Sequence, residues 1–167
     1  MPRVDPAKLT KVSLSLPFGL GSAEWESDPT ERKAAWELYV ELVTRISVEP
    51  LAAEDGVLRE ALTSLYNLFP TTRDVLRRAG PDVGASPKYV GGIAIAVLNR
   101  GLRPFLAKWH PRLQAWEAQR PANLSPQEHE KAWPDEIQVR HELEALRQEL
   151  KKYSEALAKI AGVESTG

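Results

Sequence analysis

A chain of 167 residues, 27% charged and 43% apolar, has the size and composition of one soluble globular domain. The absence of cysteine excludes disulfides, thiolate metal ligands and cysteine nucleophiles, and it fits a reducing, cytoplasmic setting. A net charge of -1 and a pI near 6.3 speak against a dedicated nucleic-acid binder.

That net charge conceals alternating blocks. Glu24 to Glu60 carries ten acidic and four basic residues, whereas Arg73 to Arg112 carries eight basic and two acidic. Blocks of opposite sign attract one another within a fold, and they also leave one basic face for an anionic partner.

Residues 1–27 read as an extended arm. Val12, Leu14 and Leu16 alternate with polar residues, the period of a short strand, and no second strand stands out downstream. An unpaired strand either lies over the helices or joins another chain. Pro17 to Ser22 turns the chain. Its two glycines lack the spacing of a phosphate loop. The region before the first helix shows no apolar signal core behind a basic start.

Residues 28–162 read as helical. Asp28-Pro29, Ser86-Pro87 and Ser125-Pro126 each place a capping side chain before a proline, a helix-start signature. Asp28 to Glu31 and Ser125 to Glu128 also have capping-box spacing. The first helix is expected over Pro29 to Val48, with Trp36, Tyr39, Val40, Val43 and Ile46 inward, closed by Pro50. The second begins near Glu54-Asp55, carries Leu58, Leu62, Leu65, Phe69 and Leu76 on its stripe, and splits near Pro70. Gly80-Pro81 ends it.

The third helix, Tyr89 to Trp116, is apolar all round at its start and then one-sided, through Leu98, Leu102, Phe105, Trp109, Leu113 and Trp116. It is expected to be central. Its longest apolar run, Tyr89 to Leu98, is about half the ~20 residues of a membrane span, so a core helix is expected and no membrane span. Gly101 and Pro104 predict a bend around residues 100–104, since Pro104 removes a bond to the Arg100 carbonyl. The last helix runs from Ser125 towards Ala161, with a bend at Trp133-Pro134. Val139, Leu143, Leu146, Leu150, Tyr153, Leu157 and Ile160 form a heptad seam, against the chain's own helices or another chain. Residues 163–167 read as a disordered tail.

No catalytic constellation emerges. His110, His129 and His141 match neither the zinc-protease nor the di-iron spacing, and no nucleophile elbow is present. Neither a cofactor nor a metal is implied. Segments AAWELYVEL (34–42) and LRPFLAKWHP (102–111) resemble parts of a small bacterial protein, and no activity attaches to that resemblance.

The sequence thus predicts an all-α fold: a four-helix, largely antiparallel bundle with a kinked central helix and an extended N-terminal arm. Its expected role is a non-catalytic protein–protein interaction or assembly module, with a protein partner or a second copy. Val12, Leu14, Leu16, Leu146, Leu150 and Tyr153 are the candidate contacts. The alternative is an anion sensor or nucleic-acid-associated module using the basic region 73–112. There, Asn99, Arg100, Arg103, His110 and Arg112 would hold an anion, with Trp109 as a wall. Against it stands the simpler expectation that these residues pair with glutamates of the first and last helices.

Overall fold

The computed structural model describes residues 11–26, 28–45, 57–86 and 88–164. Among them, two strands form a hairpin, β1 (Val12–Ser15) and β2 (Ser22–Trp25). Five helices of nine residues or more follow: α1 (Pro29–Val43), α2 (Leu58–Tyr66), α3 (Leu68–Ala79), α4 (Val90–Glu117) and α6 (Glu136–Ala161). A six-residue helix, α5 (Pro126–Lys131), precedes α6. The fold is mainly helical with a kinked long helix, but it does not have the four helices expected.

The strand is not alone. Val12 lies opposite Trp25 and Leu14 opposite Ala23 in an antiparallel pair. Ser22, Ala23 and Glu24 are poor strand formers, so β2 is specified by the turn and by pairing more than by its own composition. In that turn Leu20 N–H bonds to the Pro17 carbonyl, and Phe18 (φ 54°) and Gly19 (φ 72°) both lie at positive φ. This is the turn geometry that matches strand twist. A phenylalanine at positive φ is disfavoured, and the Phe18 N–H is held by Glu149 Oε2 at 2.9 Å. Leu14 and Leu16 are buried and Val12 half-buried, so the hairpin belongs to the core.

Asp28 caps α1, accepting the Glu31 N–H at 2.8 Å. Its buried face is Glu31, Ala34, Ala35, Leu38, Tyr39 and Leu42. Trp36 and Val40, expected inside, are 47% and 37% exposed. α1 packs against α6, and both buried faces carry small residues, Ala34 and Ala35 on α1 and Ser154, Ala158 and Ala161 on α6. Ile46, Val48, Pro50 and the expected start at Glu54-Asp55 lie outside the described residues. The second helix divides at Asn67, which places Pro70 in the first turn of α3, where its missing amide costs little.

Ser86 does not cap α4. The cap position is Tyr89, which offers no side-chain acceptor. Glu31 of α1 supplies one instead, its Oε1 accepting the Val90 N–H at 3.1 Å. The expected bend takes the form of a π-helical segment, Val97–Leu102, in which the Arg103 N–H reaches back to the Leu98 carbonyl. The wider turn accommodates Pro104, which has no amide to give, and it seats Gly101 beneath the Phe18 ring. By length and composition Val90–Glu117 is able to cross a membrane, and 56% of its most apolar stretch is buried inside the protein, as in a core helix.

Ser125 and Glu128 form the expected capping box of α5, with bonds of 3.1 and 3.0 Å. Beyond it the last helix is broken rather than bent, and α6 starts anew at Glu136. All seven seam residues of α6, Leu146, Leu150 and Tyr153 among them, are buried within the chain. Neighbouring helices run in opposite directions. Arg59 reaches Glu117 while Arg103 lies over Phe69, so α2–α3 opposes α4; Lys108 meets Glu142 while Gly101 lies under Phe18, whose amide binds Glu149, so α4 opposes α6.

The start of α4 depends on the absence of a side chain at Gly91. A Cβ there would stand 2.1 Å from the Gly84 carbonyl oxygen, a backbone atom that cannot step aside. Gly91→Ala is expected to lower stability by about 1–3 kcal/mol, read as an earlier midpoint in urea denaturation; an unchanged midpoint contradicts this packing.

Candidate functional site

A groove of about 310 Å³ runs between the α2–α3 junction and the C-terminal half of α4. Phe69, Leu106, Ala107 and Pro111 give it an apolar lining, and Tyr66 stands at its edge, 59% exposed. Arg73 and Arg103 enter from the two walls, and both guanidiniums lie over the Phe69 ring, at 5.8 and 5.2 Å from its centroid. Four residues separate Phe69 from Arg73, one helical turn, which sets the first stack locally. Arg103 arrives from α4, so the second is a tertiary contact.

Neither arginine has a carboxylate partner among the described residues. Arg103 Nε donates only to Asn99 Oδ1, at 3.3 Å, which steadies the side chain and leaves its charge unneutralised. Two uncompensated guanidiniums beside one ring repel each other, and an anion placed between them relieves that repulsion.

His110 occupies the groove two turns along from Arg103. Its ring stacks on Tyr66, at 6.3 Å between centroids and 23° between planes. Arg59 Nη1 stands 3.2 Å from Nδ1. A guanidinium only donates, so Nδ1 accepts and the neutral ring carries its proton on Nε2. Arg59 itself is held by both oxygens of Glu117, with Nε at 3.0 Å from each.

The other predicted ligand residues lie elsewhere. Trp109 is fully buried on the opposite side of α4, where its indole N–H donates to Glu142 and its ring meets Trp133 edge-on at 6.0 Å. It is no wall of the groove. Arg112 and Lys108 cover the Trp109 ring, and Arg100 is exposed without a charged partner among the described residues. The expected pairing with glutamates is found for none of Arg100, His110 and Arg112 among the described residues; elsewhere in the basic stretch Lys108 meets Glu142 at 2.8 Å and Arg78 meets Glu37 at 3.7 Å. It does not hold for Arg73 and Arg103. Neither Arg73 nor Tyr66 stood among the residues expected from the sequence to hold an anion; the Phe69–Arg73 spacing was the available signal.

Buried ionisable groups elsewhere serve the fold. His129 stacks on Trp116 at 4.4 Å, its Nε2 lies 2.7 Å from the Trp116 carbonyl, and the Trp116 indole N–H donates to the His129 carbonyl at 2.8 Å. This double clasp joins α5 to the end of α4. Glu130 accepts the Leu58 N–H with both oxygens, at 2.9 and 2.8 Å, and so caps α2, whose own cap residue Val57 has no acceptor. Burial raises the carboxyls of Glu31 and Glu130 above the ordinary 4.5, against the lowering effect of the Val90 and Leu58 amides. Among the described residues, no group of three or more histidine, aspartate or glutamate side chains is placed to hold a metal ion.

Compared with family models, with curated proteins and with solved structures, the chain matches none.

The buried carboxyls give a pH dependence of defined sign. A folded carboxyl held above 4.5 keeps protons that the unfolded chain has released, so its contribution to stability falls as pH rises through that interval. Glu142, Glu144 and Glu149 are lowered by hydrogen bonds from Lys108, Arg147 and the Phe18 amide, so their contribution is lost only as pH falls below 4.5. Glu130→Gln retains an acceptor for Leu58. Its stability relative to the native chain is expected to improve as pH rises above 4.5, measured by urea denaturation. A difference independent of pH contradicts the assignment.

Proposed function

We propose that this protein is a non-catalytic recognition module that holds an anionic group in the groove between α2–α3 and α4. The observation that carries this reading is the convergence of Arg73 and Arg103 on Phe69 without any carboxylate among the described residues to neutralise them. The volume, about 310 Å³, lies at the lower end of the roughly 300–1,000 Å³ usual for small-ligand sites. A small anion therefore fits better than a nucleic-acid strand, in keeping with the mildly acidic pI. His110 has its proton on the nitrogen turned away from Arg59, so it serves as a donor to the same ligand. Nothing in the groove supplies a nucleophile with an adjacent base, which supports binding rather than chemistry.

Thermal melting against a panel of small anions (phosphate, citrate and aliphatic and aromatic carboxylates) at low ionic strength tests this. At a ligand concentration a hundred times its Kd, stabilisation of about 2.7 kcal/mol is expected. Arg73→Gln and Arg103→Gln are each expected to abolish it, and added salt to weaken it. No shift with any anion counts against the proposal.

Assembly with a second copy of the chain is the second reading, and one observation favours it: Trp36 and Val40 lie one turn apart on the exposed face of α1. Light scattering should then show mass rising with concentration, and Val40→Glu should suppress the rise. A constant monomer mass removes this reading.

A further inference from the structure

We infer that the groove takes a carboxylate carried on a flat apolar body, such as an arylalkanoic acid, rather than an inorganic or phosphoryl anion. The inference rests on the anion-binding reading above and names the ligand class for the same site.

The charged end offers two planar guanidinium forks and no other donor. A carboxylate has the planar pair of oxygens that such forks bind side by side. Phosphate sites recruit backbone amides as well, from glycine-rich loops or helix starts. The Asn67 N–H bonds to Thr63 at 3.0 Å and the Thr71 N–H bonds to Asn67 at 3.3 Å, so the junction of α2 and α3 leaves these two amides no donor to offer. Arg103 to His110 lies inside the continuous helix α4, whose amides are likewise used along the helix, apart from Pro104, which has none.

Beyond the arginines the groove is apolar. An inorganic ion would leave the exposed Ala107 and the ring of Tyr66 in contact with water, whereas an aryl or alkyl body displaces it. The exposed ring of Tyr66 flanks that body and supplies a face for stacking. Arg103 and His110 stand seven residues apart on one helix, a rise of about 10 Å. That length matches a carboxylate, a short linker and one aromatic ring, with the Nε2–H of His110 at the far end as a donor.

Titration calorimetry on the full chain, with chemical-shift mapping, separates the possibilities. Phenylpropionate is expected to bind saturably and to perturb residues near the Asn67 junction and from Arg103 to Pro111. Acetate, which lacks the body, and phenylpropanol, which lacks the charge, should each bind at least tenfold more weakly. Arg73→Gln and Arg103→Gln should each weaken phenylpropionate at least tenfold with the melting temperature of the free protein unchanged; Arg112→Gln, on the other side of α4, should not. If phosphate binds and phenylpropionate does not, the anion site stands and this ligand class is overturned. If no anion binds, both fall. Equal binding of phenylpropionate and phenylpropanol, or binding that survives both arginine variants, also overturns the inference.

Discussion

Two buried carboxylates hold the frame of this protein together. Helices α2 and α4, the walls of the groove, begin at Val57 and Tyr89, residues with no side chain to accept the first amides. An unpaired buried N–H is costly, so each start is stable only where another element provides an acceptor. Glu130 of α5 provides it for Leu58, and Glu31 of α1 for Val90. Glu130 is itself tied to Arg140 of α6 at 3.4 Å. The caps thereby fix where both walls begin, and with them the positions of Arg73, Arg103 and His110.

The second constraint is the π-helical segment of α4. One extra residue in a turn rotates everything downstream by about 100° relative to an uninterrupted helix. With that rotation, Trp109 points into the core against Glu142 and Trp133 while Arg103 and His110 face the groove. Gly101 makes the segment compatible with the hairpin, because any side chain there would collide with the Phe18 ring. The hairpin tip, the wide turn and the orientation of the site are therefore linked through one glycine. A shallow, open depression of about 360 Å³ lies beside Phe18 on the surface between α4 and α6.

Charge is distributed by partnership. Lys108 and Arg78 have carboxylates within reach, and the Arg59–Glu117 pair orients His110. Against that background Arg73 and Arg103 differ in having a shared phenyl ring and no carboxylate among the described residues. Exposed ion pairs contribute little stability, so these pairings matter more for which cations stay free than for the strength of the fold.

Local chemistry made much of the helical architecture readable. Asp28-Pro29 and Ser125-Pro126 mark helix starts because a short oxygen-bearing side chain beside a proline satisfies the orphan amides without help from elsewhere. The α4 stripe from Leu98 to Leu113 and the α6 seam are buried as their periods require. Tertiary structure alone decided the remainder. Ser22 to Trp25 becomes a strand only because a turn delivers it to β1, and the first amide of α4 finds its acceptor in Glu31, a residue of a distant helix, rather than in Ser86. The groove belongs to the same category: Phe69, Arg73, Arg103 and His110 span 42 residues and meet only when α4 folds back along α2 and α3. Periodicity reports which face of an element is buried; it carries no information about which buried faces, or which charges, come to lie opposite one another.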